Sequence, residues 1–275
     1  MTLPDLLLSA IERKGWRAAR PDAERDLFLS FTPSWTCLHT RMDGDPGEPG
    51  AAHRCLLLRN EEMFMAKFGL DHAGILTLQA ELPNANALRL IDYALVALLR
   101  YAEQNGESGA DRVSKELYFD EPPGLPPEVV AYYIRAVEPR GWFARSKPKG
   151  ITWPLVYKGQ RTFEVYLTVT KAWTYFHIPA LPEETAAITD VAVQRAFWDY
   201  LLNVNTILHL AKLGLGERDQ VLLMLDLPTQ ELDFEMFRLA TRLLATYIDL
   251  YAREVQIMSR LESDPRLLER LVQSS

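Results

Sequence analysis

One short motif occurs twice in this chain, and its repetition constrains the fold more than any other feature of the sequence. The pattern Thr-x-x-Trp-Thr-x-x-His begins at Thr32 and again at Thr170. A longer stretch, Met65 to Pro83, matches Leu210 to Pro228 without gaps, at a constant offset of 145. Seven positions are identical, where unrelated stretches would share about one. They are Ala66/Ala211, Lys67/Lys212, Gly69/Gly214, Leu70/Leu215, Leu78/Leu223, Leu82/Leu227 and Pro83/Pro228. We therefore predict two copies of one structural unit.

The composition is typical of a globular protein in a reducing compartment. The chain has 275 residues, of which 48% are apolar, so two domains of ordinary size can each bury a core. Polar residues interrupt the first 25 positions, which predicts neither a signal peptide nor a membrane span. With two cysteines in the whole chain, we expect a cytoplasmic protein. The net charge of −7 disfavours direct nucleic-acid binding and favours a basic or apolar protein partner.

Hydrophobic periodicity predicts the same order of elements in both halves: helix, antiparallel meander, helix, hairpin and long helix. The long helices are expected at about residues 86 to 104 and 230 to 258. The first half has a shorter meander, and its middle helix, Ala51 to Arg59, is expected to be shorter than its counterpart. Taken together, the pattern predicts an α+β fold with antiparallel sheets.

The predicted domain boundaries follow from the repeat and from composition. A reduced first repeat is expected at 1–104 and a fuller domain at 127–260. Residues 105–126 are rich in glycine, proline and acids, which is typical of a linker. Ser263 and Asp264 precede Pro265, so a short terminal helix is expected within 261–275.

Several of these motifs together resemble the bacterial YbjN-like family, whose fold is similar to that of the type III secretion chaperones. They are the Gly-Trp after the first helix, the asparagine that closes the middle helix (Asn60, Asn205), the Gly-Leu hairpin that ends in Leu-Pro, and the long last helix. The resemblance implies a non-enzymatic protein that pairs with itself and binds other polypeptides.

One cluster of cysteines and histidines could indicate a metal site. Cys37, His39, His53 and Cys55 would supply metal ligands if they lay on paired strands. His53 and Cys55 fall in the middle-helix slot, and Tyr175 replaces Cys37 in the repeat, so we expect no metal, no cofactor and no disulfide.

The repeated tryptophan and histidine positions could line a small-molecule pocket, which would make the protein a sensor or an enzyme. They are Trp35, His39, Trp173 and His177. We expect instead that they are packed structural residues. No motif of a known catalytic class is present, and we predict that the protein is not an enzyme.

The last helix carries two apolar stripes and therefore needs two neighbours. Leu232, Met236, Leu239, Leu243, Tyr247 and Leu250 form the stripe expected to pack on the sheet. The second stripe is expected at a dimer or partner interface, and it contains Phe237, Leu244, Ile248, Tyr251 and Val255. Its neighbour could be the first half, a second copy of the chain or a client. We expect a homodimeric, chaperone-like adaptor for a protein client, with a basic or nucleic-acid-associated protein as one candidate.

Overall fold

The fold is taken from a computed structural model, which describes residues 6–9, 27–42, 49–103, 124–180, 188, 190–216 and 219–258. The described residues up to 103 are the first half, and those from 124 are the second half. The predicted first helix is described at residues 6–9, which are helical. Most of the predicted linker and the predicted terminal helix at 261–275 lie outside the described residues.

The first half forms a four-stranded antiparallel sheet in the order β1-β2-β4-β3. Its elements are β1 (Leu27–Phe31), β2 (Trp35–Arg41), α1 (Pro49–Glu62), β3 (Lys67–Leu70), β4 (Leu76–Pro83) and α2 (Ala87–Glu103). β4 pairs with both β2 and β3, which places β3 at an edge of this sheet.

The second half forms a six-stranded antiparallel sheet in the order β5-β6-β7-β8-β10-β9. Its elements are α3 (Pro127–Val137), β5 (Trp142–Ala144), β6 (Thr152–Lys158), β7 (Thr162–Val169), β8 (Trp173–Pro179), α4 (Val191–Asn205), β9 (Ala211–Leu215), β10 (Val221–Pro228) and α5 (Phe234–Met258). Here β10 lies between β8 and the edge strand β9. The α+β prediction is confirmed.

One expected difference between the halves is wrong. The middle helix α1 has 14 residues, nearly as many as the 15 of α4, and it extends beyond the predicted Ala51 to Arg59 at both ends. The length of α1 could not be predicted because its hydrophobic periodicity is weak. Few large apolar residues lie in its first turns, and the helix packs against other elements on two sides, so no single apolar stripe marks its bounds.

Each sheet has one face covered by the long helix of its own half. In β2, Leu38 is fully buried on this face, and α2 packs against the adjacent β4. In the second half, Phe176 of β8 packs against Phe237 of α5 with ring centroids 5.6 Å apart. The opposite faces of the two sheets, which carry Trp35 and Trp173, point toward the other half. Among the described helices, none is long and apolar enough to cross a membrane.

Candidate interaction surfaces

The two halves contact each other through their middle helices, which cross over between the sheets. Helix α1 of the first half packs against β9 and α4 of the second, while α4 packs against β3 of the first. The edge strands β3 and β9, one in each sheet, are thus each covered by a helix from the other half. Because an uncovered edge strand can pair with another chain, this crossing protects both edges. We call this contact the central interface.

Two buried asparagines bind the backbone of both edge strands at the central interface. The Asn60 side-chain oxygen accepts the Phe68 N–H at 2.6 Å, and that of Asn205 accepts the Leu213 N–H at 2.6 Å. Each side-chain nitrogen donates to both carbonyls, those of Phe68 and Leu213, at distances of 2.9–3.3 Å. The two side chains therefore satisfy four backbone groups that no neighbouring strand could reach.

Glycines permit the close approach of helix to strand. A Cβ on Gly69 would lie 2.8 Å from Thr206 Cγ2 and 3.1 Å from the Leu202 carbonyl. A Cβ on Gly214 would lie 3.0 Å from the Glu61 nitrogen and 2.6 Å from a methionine methyl. These two glycines are identical positions in the sequence repeat, and a side chain at either one would push the opposing helix away.

Two buried ion pairs flank the asparagines. Lys67 lies 3.0 Å from Glu81, and Lys212 lies 2.5 Å from Asp226. All four side chains are at most 5% exposed. The lysines also cross the interface, because Lys67 donates to the carbonyls of Leu208 and Ala211, and Lys212 donates to that of Met63. Breaking such a pair would leave a buried charge without a partner.

The charged groups at the central interface are closed off from solvent. Burial lowers the pKa of Lys67 and raises the pKa of Glu81, because desolvation penalises the charged form of each. The cavity between the two ion pairs is about 10 Å³, the lower limit for a single water molecule. An organic substrate does not fit there, so the lysines serve to hold the halves together.

Aromatic rings complete the central interface and occupy the repeated tryptophan positions. Trp35 stacks on His209 of the other half with ring centroids 4.7 Å apart, and Trp173 stacks on Phe64 at 4.8 Å. Phe64 and His209 are related by the same offset of 145 as the sequence repeat. Burial and, next, the charge of Lys67 lower the pKa of His209. Rings from the chain itself therefore cover the tryptophans that a ligand pocket would need.

The four candidate metal ligands are divided between a strand and a helix. Cys37 and His39 lie on β2, where His39 stacks on Phe28, and both cysteines are free thiols. His53 and Cys55 lie on α1, and the His53 Nδ1 atom contacts the carboxylate of Asp199 in the other half. Within the described residues, no three acidic, cysteine or histidine side chains come together in a way that could hold a metal.

The stripe of α5 that we expected to meet a partner is buried inside the chain. Phe237, Leu244, Ile248 and Val255 are each at most 1% exposed, and Tyr251 is half-buried. Phe237 packs on Phe176 of the sheet and on Tyr133 of α3. The expected assignment of the two faces is therefore wrong. The other stripe is the more open one.

An exposed apolar face lies instead on α2, the corresponding helix of the first half. Leu88 is 48% exposed, Val96 60% and Leu99 38%. We call these three residues the Leu88 face. Asp92 lies among them on the same side of the helix. The hydrophobic periodicity does not single out this face, because apolar residues occupy the exposed side of α2 as well as the buried side.

The corresponding positions of α5 do not form an exposed apolar face. The phenolic oxygens of Tyr101 and Tyr247 accept the backbone N–H groups of the repeat-related residues 64 and 209, which aligns α2 with α5 at an offset of 146. Leu88, Val96 and Leu99 then correspond to Phe234, Arg242 and Ala245. Phe234 packs beside two tyrosines of α3, and Arg242 is exposed. The apolar Leu88 face is a feature of the first half.

Comparison with known proteins adds no relative to these observations. No protein-family model matches the chain, and no curated protein matches it either. The likeness to the YbjN-like family accordingly rests on the motifs in the sequence.

Proposed function

We propose that the protein acts by binding another polypeptide, without catalytic turnover, as a chaperone-like adaptor. The observation that carries this proposal is the exposed Leu88 face. Three apolar side chains on one side of a well-packed helix form a docking surface of the helix-in-groove or helix-on-helix kind. Covering them contributes on the order of 3 kcal/mol before the costs of association.

We further propose that the two halves are tandem YbjN-like repeats that pair within one chain. Contacts between repeat-related residues run in both directions across the central interface, as the asparagines, lysines and tryptophans illustrate. In such a protein, the two halves of one chain would pair with each other in the way that the family resemblance implies for two separate copies. A homodimer, if it forms, would use a surface other than the buried stripe of α5.

The chemistry of the client follows from the surface that it must meet. The Leu88 face requires apolar side chains from its partner. The net charge of −7 favours a basic partner, such as a nucleic-acid-associated protein or an unfolded segment, and its association rate would fall as salt rises.

The proposal is tested with Val96→Arg. Arginine is the residue that α5 carries at the corresponding position, so the fold accommodates it while the apolar face is interrupted. The wild-type protein is expected to suppress light scattering from a heat-unfolded test protein such as citrate synthase, and the variant to lose most of this effect. Affinity capture from the source organism, quantified by mass spectrometry, should show the same client proteins depleted with the variant.

The matched control is Val191→Arg, which changes a 75% exposed valine at the start of α4, outside the Leu88 face. It should behave as the wild type in both assays. Equal suppression and equal capture by all three proteins would contradict the proposal. Light scattering of the purified wild type at tens of micromolar tests for the homodimer separately.

A further inference from the structure

We propose that a second site, remote from the Leu88 face, binds a small amphipathic carboxylate. The site is a pocket between the turn that joins β6 to β7 and the later part of α5. Its lining includes Arg161 and Phe163 from the strand side and Ile248, Asp249, Ala252 and Arg253 from the helix. Its volume is about 350 Å³, within the range of about 300–1,000 Å³ that small-molecule sites occupy.

The inner part of the pocket is apolar. Ile248 is 1% exposed and Ala252 5%, and the ring of Phe163 is half-buried beside them. A hydrocarbon group placed against these three side chains would lose its contact with water, which is the main source of affinity for such a ligand.

The outer part of the pocket carries two arginines. Neither Arg161 nor Arg253 forms a salt bridge with any residue that the structure describes, and both are exposed. Arg161 donates one N–H to the neutral amide oxygen of Gln256 at 2.7 Å, and its other donors can meet a carboxylate. The planar guanidinium group suits this use because it binds carboxylates through two parallel hydrogen bonds.

Asp249 does not cancel both of these charges. Its two oxygens accept hydrogen bonds from the hydroxyl of Tyr157 at 2.7 Å and the N–H of Gln160 at 3.1 Å. With two arginines and one aspartate, the lining carries a net charge of +1 in a chain whose net charge is −7. An anion is thus favoured here although the protein as a whole is acidic.

The walls of the pocket are fixed before any ligand arrives. Asp249 joins the turn to the helix through the two hydrogen bonds above. Gly159 lets the carboxylate approach, since a Cβ there would lie 2.6 Å from both Asp249 oxygens. A pocket held open in this way does not need to reorganise on binding, which preserves affinity.

The experiment is isothermal titration calorimetry with sodium octanoate on the full-length protein, with 1-octanol as the neutral probe of equal chain length. We expect saturable one-to-one binding of octanoate and binding of octanol at least about tenfold weaker, because octanol lacks the charge-assisted hydrogen bonds. Arg253→Gln and Arg161→Gln should each weaken octanoate binding by about tenfold, and neither should change the binding of octanol.

Arg242→Gln is the matched control, because it removes an exposed arginine of the same helix that does not line the pocket. It should leave the octanoate affinity unchanged. Three results would each overturn the proposal: no saturable binding of octanoate, equal affinity for octanoate and octanol, or octanoate affinity that is insensitive to both pocket substitutions. Capture of clients by the Leu88 face is measured independently, so this site can fail while the protein-binding proposal stands.

Discussion

Replacing the two interface asparagines by alanine, singly and together, should reveal a large coupling between them. Asn205→Ala removes the acceptor of the Leu213 N–H, while the Phe68 and Leu213 carbonyls keep Asn60 as a donor at 3.1 Å and 3.3 Å. Asn60→Ala strands the Phe68 N–H in the same way, and Asn205 still serves both carbonyls. Only the double variant leaves the carbonyls without these donors.

The expected magnitudes follow from the groups that each variant leaves unsatisfied. One buried N–H without a partner costs about 2 kcal/mol, so each single variant should lose about that much free energy of unfolding. The double variant strands two N–H groups and two carbonyls. At about 1 kcal/mol for each carbonyl, its loss should reach about 6 kcal/mol, which is about 2 kcal/mol more than the sum of the single losses.

The assay is equilibrium urea unfolding followed by tryptophan fluorescence, since Trp35 and Trp173 both stack across the central interface. All proteins are measured in the same buffer with trimethylamine N-oxide, which stabilises the double variant enough to define its folded baseline. Asn203→Ala, an exposed position on the same helix, should change the stability by less than about 0.5 kcal/mol. If the stability lost by the double variant equals the sum of the two single losses to within about 0.5 kcal/mol, the two asparagines do not share a network and the argument is refuted.

Two further predictions concern the same interface. Burial and Lys67 lower the pKa of His209 below 6.5, so the folded state keeps this ring neutral and loses stability as the pH falls below that value, by at most about 1.4 kcal/mol at pH 5.5. His209→Phe copies the stack that Phe64 makes on Trp173, and it should reduce the loss of stability between pH 7.5 and 5.5 measured by urea unfolding. Part of the loss should remain, because burial also lowers the pKa of His39. A loss of stability unchanged by His209→Phe would contradict the assignment of the pH dependence to His209. Gly214→Ala should cost about 1–3 kcal/mol in the same assay, because its Cβ would meet the backbone of α1 at 3.0 Å. Gly216→Ala should cost less, because its closest neighbour is a flexible leucine methyl, and equal losses would argue against backbone crowding.

The order of elements could be predicted from the sequence because local periodicity determines it. Alternation in the strands and the three-to-four spacing of the long helices place the hairpins and α2 and α5 within a few residues of their observed bounds. The faces of α5 could not be assigned in this way, since both of its stripes are apolar. Ala240 and Ala252 were the available signal, because small residues mark the side where a helix approaches its neighbour closely.

The central interface could be predicted only in part. Lys67 and Lys212 are identical in the repeat and stand among apolar strand residues, and Glu81 and Asp226 lie at the same offset of 145. A charge pair that recurs on inward-facing strand positions is a signal for a buried ion pair. Nothing in the sequence indicates that each lysine reaches carbonyls of the opposite half, because that contact depends on how the halves pack.

Positions that recur in the two halves hold the fold together, whereas the proposed binding surfaces lie at positions that differ between the halves. Residues that recur at the same offset, such as Gly69 and Gly214 or Asn60 and Asn205, join the two halves at the central interface. They are therefore not available to a partner. A surface for a partner has to lie where the halves differ, because both copies of the shared surface are already occupied. The Leu88 face satisfies this condition, since α5 carries Arg242 where α2 carries Val96. The pocket that Arg161 and Arg253 line satisfies it as well, because β6 and its turn into β7 have no counterpart among the described strands of the first half.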